Sequence, residues 1–136
     1  MDYQGAVEHL VAGRRLVAWV QACMARLAAH VGDAALAQLP PPREGAGPEL
    51  TGPLQELADQ SAAEELACLY RITELEGRKT LEQARELCTH YPRTLAALAA
   101  GEMDLDQATV IVRQGDTLPD GQKQGYEQAL LAKAGK

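Results

Sequence analysis

The side chains in this sequence with the means for chemistry are scattered rather than gathered. Asp104 and Asp106 are the nearest approach to a carboxylate pair. Both fall at the start of a helical pattern, where aspartate satisfies free backbone amides and complements the helix dipole, so capping accounts for them without catalysis. His9, His30 and His90 lie in different helical segments, with no supporting His, Asn or Asp cluster after residue 101. Cys23, Cys68 and Cys88 are odd in number, lack Cys-X-X-Cys spacing and sit in apolar patterns. Neither a disulfide framework nor a zinc site is indicated, and buried thiols are the expectation. No catalytic residue, metal ligand, cofactor or small-molecule substrate is therefore expected, and the chain is not read as an enzyme.

The remaining candidates are cations. Arg71, Arg78, Lys79, Arg85 and Arg93 are the positive side chains of the segment that reads as a helix-turn-helix, and they are the candidate nucleic-acid contacts. The net charge of −6 weighs against a general DNA coat protein, because affinity for nucleic acid rests mainly on neutralising phosphates with Lys and Arg. A local basic strip stays open. In a major-groove reader the early outward residues of the second helix meet base edges, here Glu74, Arg78, Lys79, Glu82 and Arg85. The competing reading, which the interleaved acids favour, is a solvated face laced by pairs such as Glu74–Arg78 and Glu82–Arg85. Arg14-Arg15 reads as a polar flank of a long helix. Tyr3 and Trp19 read as packing anchors.

The elements that must position these groups are helices. The 136 residues fall in the range of one domain, about 100 to 150 residues, and the apolar share is mostly Ala and Leu with no Phe and one Trp. Ala and Leu lose least on entering a helix, so the fold class is all-α, with six to seven helices. Residues 1–39 form a long amphipathic helix over 3–31 with a short following piece, residues 40–52 a Pro/Gly linker, and residues 53–136 a helical bundle. In the long helix Ala6, Leu10, Gly13, Val17, Val20, Met24, Leu27 and Val31 step by alternating fours and threes, a heptad seam. Leu10, Val17, Val20, Met24 and Leu27 are the candidate homodimer contacts, and Val7, Val11, Leu16, Trp19 and Cys23 widen the stripe. Gly32 is expected to end this helix. Ser61 to Glu64 matches a capping box that opens a helix over about 62–71, and Thr73 to Glu76 repeats it for a helix over 74–89 after a tight turn. Pro92 suits a first helical turn, Gly101 a left-handed cap, Asp104 and Gly115 the two ends of another helix, and Pro119 the start of the last.

The order of these motifs carries a resemblance. Glu64-Glu65-Leu66-Ala67, Thr73, Ala84-Arg85-Glu86-Leu87, Tyr91-Pro92-Arg93-Thr94-Leu95-Ala96-Ala97-Leu98 and Gly101-Glu102-Met103-Asp104 with Gln107-Ala108 resemble domain of unknown function 222, the thirteen-E-twelve repeat family. In that family this helical region typically precedes an HNH endonuclease module. The resemblance implies a bacterial, DNA-related context in which this chain is a non-catalytic accessory domain that helps a nuclease-type protein recognise or organise on DNA, and the heptad seam adds the expectation of a homodimer through the first helix. The alternatives are a protein-interaction module that never touches DNA, and a stand-alone helix-turn-helix regulator. With no basic and apolar leader pattern and no run of about 18 apolar residues, the expectation is a soluble, cytoplasmic chain with no membrane contact.

Overall fold

A computed structural model describes residues 1–39 and 51–134. Among them are six helices and no strand: α1 (Tyr3–Gln38), α2 (Thr51–Tyr70), α3 (Glu74–Thr89), α4 (Pro92–Ala99), α5 (Leu105–Gln114) and α6 (Asp120–Ala134). The all-α class is as expected, and the helix-turn-helix-like pair is α2 with α3. Residues 40–50 of the expected linker lie outside the described residues, while Thr51 and Gly52 already belong to α2. The helices group into two compact units, one of residues 1–25 and 86–136, the other of residues 26–85.

In the first unit the core joins Ala18 and Ala22 of α1 to Leu87, Tyr91, Leu95, Leu98, Ala108 and Val112. Alanines on the inner face of α1 let the neighbouring helices approach closely, since interaxial distance follows side-chain size. The short α4 has Pro92 at its first position and no side-chain cap of its own at Tyr91. Its free amides are met instead by α6: the buried Glu127 carboxylate accepts from the Thr94 amide at 2.9 Å, the Thr94 hydroxyl at 2.8 Å and the Arg93 amide at 3.4 Å. A carboxylate there also complements the positive end of the helix dipole. Gly101 (φ +75°) closes α4, with its own amide donating to Leu98 and that of Glu102 to Ala97, the paired bonds of a Schellman turn. Asp104 then caps α5 through reciprocal bonds with Gln107 of 2.9 and 3.0 Å, and Gly115 ends it.

In the second unit two expected boundaries move. The long helix does not stop at Gly32 but runs on to Gln38. Gly32 is buried beside α3, where a Cβ would lie 2.5 Å from the Arg85 guanidinium and 3.0 Å from Leu81, so this glycine serves close packing rather than termination. The capping box at Ser61 is not used either. α2 is continuous from Thr51, because Ala58, Ala62, Ala63, Leu66 and Ala67 continue one buried face through the place where a new helix was expected. The second capping box does form: the Glu76 amide donates to the Thr73 hydroxyl at 3.2 Å and the Thr73 amide to the Glu76 carboxylate at 3.1 Å. α2 ends in another Schellman turn, with Ile72 donating to Ala67 at 3.0 Å and Arg71 in the left-handed region (φ 54°). Gly77 lets α3 touch α2, since a Cβ there would run into the Ala63 carbonyl oxygen.

Candidate functional site

The most unusual surface of the first unit is the outer side of α1. Its inner side is alanine, so the large apolar residues of the heptad pattern point away from the core. Leu10 is 70% exposed, Val17 55%, Val20 39% and Met24 39%. Leu16 and Trp19 extend the band, and Tyr3 is exposed near the start of the helix, so neither aromatic is the packing anchor expected from sequence. Single exposed apolar residues are ordinary, whereas a contiguous face of them marks a binding surface. Leu27, in the part of α1 that belongs to the second unit, is 63% exposed.

Beside this face runs a groove of about 470 Å³ between α1 and the start of α5. Leu10, Gly13, Val17 and Ala18 form one wall and Leu105 part of the other. The groove's polar lining is His9, Gln21 and, at the rim, Arg14 on α1, which pairs with Asp104 at 3.2 Å, with Asp106 exposed beside it. The Arg14–Asp104 pair is largely solvated, and such pairs contribute little to stability. The groove is walled largely by apolar side chains and two-signed at its edge, which suits an amphipathic helix better than a small polar ligand.

The candidate nucleic-acid contacts are dispersed by the fold. Arg78 does not pair with Glu74. It reaches back to α2, where one guanidinium nitrogen meets both oxygens of Glu56 at 2.8 Å, and it touches Glu82 at 3.4 Å. The Glu56 bond is also the main reason its proton is held more tightly than usual. Arg85 pairs with Asp59 at 2.7 Å rather than with Glu82. Both arginines therefore brace α3 against α2, and each is already neutralised by a carboxylate. Lys79 and Arg71 in the second unit and Arg93 in the first are exposed, and among the described residues no carboxylate forms an ion pair with them.

The polar groups inside the first unit escape sequence reasoning. Lys123 is buried and holds Glu86 at 3.0 Å and Asp120 at 3.1 Å, while His90 Nε2 lies 3.9 Å from Glu86 and 3.7 Å from Asp120. The bond to Glu86, then that to Asp120, raise the proton affinity of Lys123 against the opposing effect of burial. Burial raises that of the Tyr91 hydroxyl, which makes no hydrogen bond to the described residues. A lysine and a glutamate give no periodic signal of burial; only their spacing of four on α6 hints at a shared inner face. Cys68 is exposed and Cys23 and Cys88 are half-buried, so the thiols are less buried than expected. Among the described residues no group of three His, Cys, Asp or Glu could hold a metal ion, and no helix is long and apolar enough to cross a membrane.

No curated protein and no solved structure matches the chain significantly. A family model, by contrast, matches residues 14–135, from the outward face of α1 to the end of α6. The chain belongs to the family described as domain of unknown function DUF222.

Proposed function

We propose that this domain is a non-catalytic assembly module that pairs with a second copy of itself through the outer face of α1. The observation that carries this reading is the inversion of α1 in the first unit: alanines face the core while Leu10, Leu16, Val17, Trp19, Val20 and Met24 face solvent. Covering one half-exposed side chain of this kind contributes about 1 kcal/mol. A two-fold interface uses each residue twice, so the face brings on the order of 10 kcal/mol, comparable with an association cost of roughly 4–15 kcal/mol. The dimer is accordingly concentration-dependent rather than obligate. Light scattering across a wide concentration range tests it: the wild-type chain gives twice the monomer mass at high concentration, and Val17→Asp with Met24→Asp gives the monomer mass throughout. A wild-type chain that stays monomeric contradicts the reading.

The resemblance to proteins with a downstream HNH module supports a second reading, in which the assembled domain helps a nuclease-type protein organise on DNA. Exposed Arg71, Lys79 and Arg93 supply the charge for it, while Arg78 and Arg85, tied to Glu56 and Asp59, contribute less. Replacing Arg71, Lys79 and Arg93 by alanine abolishes a salt-sensitive complex with duplex DNA under this reading. Absence of binding by the wild-type dimer at low salt leaves the assembly module alone.

A further inference from the structure

We propose that two copies cross at Gly13, each laying its α1 along the groove between α1 and α5 of the other. This deepens, and rests on, the reading of the domain as an α1 dimer. Gly13 is exposed in the first third of α1, and a Cβ built on it meets nothing within 4 Å. No positive φ and no neighbour within the chain calls for a glycine there, although glycine inside a helix weakens it relative to alanine. What the missing side chain does provide is a notch in the α1 wall of the groove between Leu10 and Val17, one turn away on either side. A partner helix whose backbone enters that notch approaches more closely than side chains elsewhere on the face permit.

The rim selects the occupant. Arg14 stands on the α1 bank, Asp104 and Asp106 on the α5 bank. Arg14 is held by Asp104 at 3.2 Å, so a helix of one sign lying in the groove competes for that pair, and an acidic one also meets Asp106. A second copy related by a two-fold axis brings its own Arg14 over the aspartates and its aspartates over Arg14, so both banks are matched at once. With the axis at Gly13, the two copies of that residue become nearest neighbours.

Two variants test the crossing. Gly13→Leu fills the notch from a position where a Cβ meets nothing within 4 Å and favours helix, so it keeps or raises the melting temperature while weakening the dimer at least tenfold by light scattering. In a chain with Cys23, Cys68 and Cys88 changed to serine, Gly13→Cys gives a covalent dimer on mild oxidation, because a crossing at this residue brings the two Cα atoms within the span of a disulfide. A wild-type dimer that is lost in Val17→Asp with Met24→Asp, yet unaffected by Gly13→Leu and not crosslinked through Gly13→Cys, overturns the crossing and leaves the α1 dimer standing. A monomeric wild type overturns both.

Discussion

Glu127 is the residue on which the first unit leans most. A buried carboxylate accepting three hydrogen bonds at the start of α4 substitutes for a local cap that the sequence Tyr91-Pro92 does not supply. Glu127→Ala leaves the Thr94 amide and hydroxyl buried without their partner, and is expected to lower the unfolding free energy by about 2–4 kcal/mol in urea titration; a loss below about 0.5 kcal/mol contradicts the capping role. Lys123 makes a separate prediction. Its proton affinity is raised above the ordinary value of 10.5 by its bonds to Glu86 and Asp120, and burial raises Tyr91 and Tyr126 above 10.0. Each group binds its proton more tightly folded than unfolded, so each contributes stability that is full below about pH 10 and lost as pH climbs through the folded value. The urea midpoint should fall as pH rises above about 10, and a flat midpoint would deny that Lys123 keeps its carboxylate partners and the two tyrosines their burial in solution. Arg71, offered by its charge as a phosphate contact, holds the left-handed position after α2. Arg71→Gly should therefore raise stability by up to about 1 kcal/mol, measured by thermal melting, since glycine adopts that conformation without strain.

Among the elements, the parts written in local chemistry were legible. Thr73 with Glu76 and Asp104 with Gln107 close the capping geometry their spacing implies, Pro92 sits at the first position of α4, and Gly101 takes the left-handed turn. The misplaced boundaries share a cause. Ser61-Ala62-Ala63-Glu64 has the letters of a capping box, but the buried face running through Ala58, Ala62 and Leu66 outweighs it, and Gly32 satisfies a neighbour rather than ending a helix. Local propensity is a weak prior once a tertiary face is continuous. The partners of Arg78 and Arg85 were illegible for the same reason, since Glu56 and Asp59 come from another helix. The α2–α3 contact gives a prediction at this scale. Gly77→Ala places a methyl against the Ala63 carbonyl and should cost about 1–3 kcal/mol by overpacking, read from chemical denaturation. An unchanged stability would mean the two helices separate easily.

For the molecule as a whole, the heptad spacing on α1 is legible in the residues themselves, but the direction in which that face points is not. Periodicity reports that apolar residues share a face and cannot say whether that face turns inward. The alanines at 18 and 22 are buried in the core with Leu87, Leu95 and Leu98, and Ala25 packs against it, so the larger apolar side chains on the other side of the helix face outward. Family membership over residues 14–135 gives no activity by itself, so the proposed assembly role stands on that outward face. Its most direct test is the solution mass of the wild-type chain beside that of Val17→Asp with Met24→Asp, by light scattering at matched high concentration. Pairing through α1 predicts a dimer for the first and a folded monomer for the second. A wild-type monomer, or a dimer that survives both aspartates, would contradict it.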